Sequence, residues 1–132
     1  MHPFEKVRAF AKISGEHGLV GTVKFYQHSG GVLVETSIKG FRDDGFHGFH
    51  IHRGKAGGHY NPTEQPHPNH AGDLPPLLSA GGRAYMTVLT NRFSIREIIG
   101  RTLVIHENPD DFHTQPSGNA GTPIAAGSII RA

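Results

Sequence analysis

The sequence predicts an all-β fold, a Greek-key β-sandwich or flattened barrel of about eight short antiparallel strands, immunoglobulin-like in type and carrying two long loops. Three observations point there. Apolar residues recur at every second position in several short runs, the period of a half-buried strand. The 18 Gly and 9 Pro punctuate those runs as turns. No stretch keeps a helical period beyond a turn or two.

Residues 6–13, KVRAFAKI, place Val7, Ala9, Ala11 and Ile13 on one face. GEHG at 15–18 reads as a turn, 19–27 as a second strand, and HSGG at 28–31 as the next turn. Residues 32–39 alternate through Val32, Val34, Thr36 and Ile38, and FHGFHIH, ending at His52, makes a fourth strand. Periodicity then lapses over 53–82, a loop long enough to suggest function. Strands are expected at 83–90, at 94–98 (SIREI) and at 102–106 (TLVIH). Residues 107–123 form a second loop, and 124–130 the last strand. All 132 residues fit one domain.

Composition narrows the function classes. The 13 Lys and Arg against 11 acids are a weak excess spread along the chain, which gives nucleic-acid binding little support. No apolar run is long enough for a membrane span, and MHPFEKVRAFAK lacks a signal-peptide core. The expectation is a cytoplasmic protein, or an extracellular or periplasmic one from which a targeting segment was removed. With no Cys there is no disulfide and no thiolate ligand. Any transition-metal site must therefore use imidazole and carboxylate, and the chain has 11 His.

Strand alternation arranges several of these. With Phe49 and Ile51 directed to the core, His50 and His52 leave the strand together on the other face. Leu103 and Ile105 likewise turn His106 outward, so rigid strands can present three imidazoles. The loop HYNPTEQPHPNHAGD adds His59, His67, His70 and Asp73. The three-residue spacing of His67, His70 and Asp73 can wrap one ion, and three His with a carboxylate suit tetrahedral zinc. His47 lies on the core side of its strand and is expected to bond backbone; His2, His17, His28 and His113 are assigned to the surface.

GFHGFHIH (45–52), HYNP (59–62), HAGDL (70–74), GRTLVIHENPDD (100–111) and GNAGTPIAAG (118–127) resemble, in order and over nearly the whole chain, motifs of the copper/zinc superoxide dismutase family. The resemblance implies one copper held by His50, His52, His59 and His106, and one zinc held by His59, His67, His70 and Asp73, with His59 bridging the two. It implies that Asp110 accepts hydrogen bonds from a copper-bound and a zinc-bound imidazole. The activity it implies is dismutation of superoxide to oxygen and hydrogen peroxide, with His59 and His106 catalytic and His59 taking a proton when its link to copper opens. A homodimer is also implied.

Two features depart from that family. The disulfide that ties its first long loop to its last strand is absent: Ala126 stands at one Cys position, and the loop that would carry the other is reduced to RGKAGG. Pro123 replaces the Arg that would guide the superoxide anion, leaving Arg53 and Lys55 as candidate substitutes. The alternatives to an enzyme are a non-catalytic copper- or zinc-buffering protein on the same fold, and an interaction module that has kept the site.

Overall fold

A computed structural model describes residues 6–54, 57–116 and 118–132. Nine strands are present among them: β1 (Val7–Gly15), β2 (Val20–His28), β3 (Gly31–Lys39), β4 (Gly45–His47), β5 (Phe49–His52), β6 (Leu77–Ser79), β7 (Arg83–Thr90), β8 (Thr102–His106) and β9 (Pro123–Arg131). Seven form one antiparallel sheet in the order β5-β8-β9-β1-β2-β3-β7, which curls into a half-barrel; β4 and β6 form a separate ribbon. The connections after β3 and β7 both carry the chain from one end of this strand order to the other, the Greek-key route. Among the described residues no helix is long and apolar enough to cross a membrane.

The alternation in the sequence becomes the core. Ala9, Ala11 and Ile13 of β1 are buried, as are Val32, Val34, Thr36 and Ile38 of β3. Phe49 and Ile51 of β5 meet Ile105 and Leu103 of β8 in register, all four fully buried. At about 1.5–3 kcal/mol for each such side chain, this apolar seam fixes the β5–β8 register. Register decides which face each histidine takes, since a slip of one residue would turn His50 and His52 inward.

Three elements differ from the sequence expectation. Residues 94–98 form no strand; Ile95–Ile98 is a single helical turn, α1. Ser94 and Glu97 make a reciprocal capping box, with the Ser94 N–H donating to Glu97 Oε1 at 2.5 Å, and this local pairing outweighs the β-branched composition. The strand expected through His52 divides at Gly48. There the backbone turns to pair with the second loop, Gly48 N–H donating to Asn108 O at 2.9 Å, and a Cβ at Gly48 would stand 2.7 Å from that of Ala120. The first long loop also contains β6, which pairs with β4 and turns through Ala80 into β7.

Thr36 carries the one strand hydroxyl among the described residues that is buried with no hydrogen-bond partner. Thr36→Val keeps the shape and removes that group, so it should stabilise the protein by about 1 kcal/mol. Chemical denaturation of the two proteins measures the difference, read as a higher midpoint at unchanged slope.

Candidate metal centre

β5 is an edge of the sheet, and the first loop covers it. Ile51 N–H donates to Gly72 O (2.8 Å), Tyr60 N–H to Ile51 O (2.7 Å), Gly72 N–H to Tyr60 O (2.9 Å) and Leu74 N–H to Phe49 O (3.2 Å). Isolated bridges pair His50 with Asp73 and His52 with His59. The loop is thus laid along the strand with His59 and Asp73 opposite the strand histidines. His50 and His52 do leave the core face, yet His50 is 0 % exposed, because loop covers that face.

Among the described residues two groups of donor atoms result, each with its atoms within 4.8 Å of one another. The first joins His50, His52, His59 and His106; the second joins His50, His59, His67 and Asp73. His70 adjoins the second, its Nδ1 lying 3.2 Å from His59 Nδ1 and 3.1 Å from Asp73 Oδ2. The seven histidine and aspartate side chains singled out in the sequence therefore meet in one place, and His50 and His59 both belong to both groups.

In four of the rings one nitrogen has a partner that fixes the tautomer. His50 Nε2–H donates to Asp110 Oδ2 (2.9 Å) and His67 Nε2–H to Asp110 Oδ1 (2.7 Å). His52 Nδ1–H donates to Gly57 O (3.0 Å) and His106 Nδ1–H to Gly121 O (2.9 Å). In a neutral imidazole the other nitrogen is then a lone pair. Those nitrogens are His50 Nδ1, His52 Nε2, His67 Nδ1 and His106 Nε2; all are buried without a hydrogen-bond partner, as is His59 Nε2. His67 Nδ1 is 3.0 Å from Asp73 Oδ2 but makes no hydrogen bond to it. Two lone pairs facing at that distance repel unless a cation lies between them. The donors fit the metals that imidazole and carboxylate favour: four imidazole nitrogens on one side suit copper, and three imidazoles with a carboxylate on the other suit zinc.

The electrostatics keep these rings ready to bind. Burial, followed by the neighbouring His59, pushes His50 down to about 3, and burial pushes His52 down to about 4. Burial also lowers His70 and His106. For Asp73, burial acts upward but is outweighed by the hydrogen bond from His59 and the charges of His59, His67 and His70, so it stays ionised to lower pH. In Asp110 burial is likewise outweighed, here by hydrogen bonds from His67, His50 and the Phe112 N–H. Close approach to Asp110 requires glycine at 118, where φ is +77° and a Cβ would stand 2.1 Å from Asp110 Oδ1.

The remaining histidines stand apart. His47 is half-buried, with Nδ1 donating to His106 O at 3.0 Å; His17, His28 and His113 are exposed. Arg53 is exposed and lines a cavity of about 620 Å³ with His52, His59, His106, Glu64 and Pro123. Lys55 and His2 lie outside the described residues. Arg92, unremarked in the sequence, reaches the backbone of the first loop from β7's end.

Fold and site together define a β-barrel protein whose buried His and Asp groups suit metal ions. Residues 19–129 match the family described as copper/zinc superoxide dismutase (SODC). The chain is similar to superoxide dismutase [Cu-Zn] A of Xenopus laevis, at 37 % identity over 93 % of this chain and 97 % of that one. It is also similar to an extracellular superoxide dismutase [Cu-Zn] of Onchocerca volvulus (34 %, covering 98 % and 78 %) and to superoxide dismutase [Cu-Zn] 3 of Arabidopsis thaliana (34 %, covering 96 % and 92 %). The chain belongs to the copper/zinc superoxide dismutase family.

The lowered histidines set an acid limit on the metal-free fold. Below the ordinary value of 6.5 the unfolded chain takes protons that folded His50 and His52 refuse until about 3 and 4, so stability falls as pH drops through that window. Asp73 and Asp110 add to the loss at the lower end. The melting temperature of metal-free protein should decline steadily from pH 7 to pH 4; a flat profile would contradict it.

Proposed function

We propose that the protein is an active superoxide dismutase, with copper at His50, His52, His59 and His106 and zinc at His59, His67, His70 and Asp73. The observation that carries this reading is the set of buried, unpartnered imidazole nitrogens of His50, His52, His59 and His106 beside the His67–Asp73 pair. Bound copper would supply the one-electron chemistry by which two superoxide anions and two protons become oxygen and hydrogen peroxide. The chain supplies the rest. Its strands hold His50, His52 and His106 rigidly, and Asp110 ties a ring of each group to one carboxylate. His59 presents a nitrogen to both groups; whenever Nε2 is not a ligand it can hold a proton and pass it to the reduced product. His59, His67, His70 and Asp73 would hold zinc, which would supply no redox chemistry and would order the loop that carries them.

Anion guidance falls to Arg53. It is the sole Lys or Arg among the described residues lining the cavity that opens onto His52, His59 and His106, and Pro123 adds no charge there. One cation opposed by Glu64 steers weakly, so capture should be slower than a cleft with a dedicated inward-facing Arg allows.

Protein reconstituted with copper and zinc, then dialysed, tests the reading by metal analysis and pulse-radiolysis rates of superoxide decay. One copper and one zinc per chain with turnover are expected. Both metals without turnover would assign the chain to metal buffering, and no retained metal would overturn both readings. Arg53→Ala should slow capture severalfold with metal content unchanged, and should flatten its fall with salt, which screens such steering over ~10 Å at 0.1 M. An unchanged rate and salt slope would remove Arg53 from the account.

A further inference from the structure

The first loop has no disulfide tie, since the chain has no Cys, yet His59, His67 and Asp73 of the loop hold donor atoms within 4.8 Å of that of the strand residue His50. The segment between β7 and β8 grips it from outside. Arg92 directs one guanidinium nitrogen, Nη1, at three backbone carbonyls of the loop: Pro68 O at 2.9 Å, His70 O at 3.3 Å and Asp73 O at 3.4 Å. One of these belongs to Asp73, whose side chain enters the second donor group; another belongs to His70, which adjoins that group, and Pro68 follows His67, a further member. On the loop's other flank, Tyr60 O–H donates to Glu97 Oε2 at 2.5 Å, and the Arg101 guanidinium lies 4.0 Å from the centre of the Tyr60 ring. Arg101 also donates to Glu97 O (2.8 Å) and to Arg53 O (3.3 Å), just after the strand that carries His50 and His52.

We infer that residues 92–101 form a non-covalent clasp in which Arg92 is a positioning residue for the His67–His70–Asp73 donors, setting how tightly that group holds its metal. The inference rests on the proposed zinc site. Carbonyls converging on one point repel one another, and a cation there lets residues 68–73 fold back tightly enough to aim three side chains inward. Charge-assisted hydrogen bonds of this kind are stronger than neutral ones. The partners of ligand residues are known to influence metal affinity by about 10–100-fold. Because a single nitrogen serves all three carbonyls, the task needs clustered donors and positive charge and makes no use of the planar fork, so Lys can perform it where an apolar chain of similar length cannot.

The test compares wild type, Arg92→Met, Arg92→Lys and, as a remote control, Arg42→Ala, which loses only a contact with surface His17. Zinc dissociation constants are measured by chelator competition, alongside the visible absorption of Co(II) bound in place of zinc. Arg92→Met should weaken zinc binding about tenfold and shift the Co(II) bands, Arg92→Lys should recover most of both, and Arg42→Ala should match wild type. Metal-free melting temperatures identify any variant that fails to fold, in which case Arg92→Gln replaces Arg92→Met. Equal zinc affinity in Arg92→Met and wild type would overturn the clasp, as would Arg92→Lys binding as poorly as Arg92→Met. Wild type that binds no zinc would instead overturn the proposed site.

Discussion

Among the described residues five imidazole nitrogens are buried in one cluster with no hydrogen-bond partner, and most other features of the molecule follow from that. A cluster of lone pairs in a low-dielectric interior is costly until a cation accepts them. Asp110 makes the arrangement definite. By taking the Nε2 proton of both His50 and His67 it leaves each ring one free nitrogen, Nδ1, buried in the donor cluster. A single carboxylate thereby couples the orientation of a strand histidine to that of a loop histidine, and Gly118 is the residue that lets the second loop close over it.

The same constraint explains how folding and metal binding are linked. The barrel core is assembled from strands that carry only His50, His52 and His106, whereas the other four donors arrive on a loop whose order depends on hydrogen bonds along β5 and on the contacts of Arg92 and Tyr60. A metal bound only by the folded state adds its binding free energy to stability. In a chain without cross-links that contribution falls mainly on the loop, which makes the loop the part of the structure most sensitive to metal removal.

Most of the fold was legible in the sequence because period-2 alternation is strong in β1, β3 and β7, and because apolar residues flanking a strand histidine decide its face. In residues 94–98 the β-branched Ile95 and Ile98 favour a strand, whereas the S-x-x-E spacing of Ser94 and Glu97 is the signal for the helical turn that forms. β6 is three residues long, too short to show a period in the sequence. The histidines and Asp73 that gather in the structure stood out by residue type and spacing, but their covering by loops did not, since burial there comes from residues distant in sequence. Arg92 could not have been found at all, because its partners are backbone carbonyls and a carbonyl leaves no trace in a sequence.

The central claim is that the buried donors are two adjacent metal sites sharing His59. Diffraction from crystals of metal-loaded protein, collected on either side of the copper and zinc absorption edges, tests it most directly. The account predicts a copper peak about 2 Å from His50 Nδ1, His52 Nε2 and His106 Nε2, and a separate zinc peak at a similar distance from His67 Nδ1, His70 Nδ1 and an Asp73 oxygen, with His59 beside both. A single peak shared by all seven side chains, or metal bound elsewhere with these nitrogens still unpartnered, would contradict it.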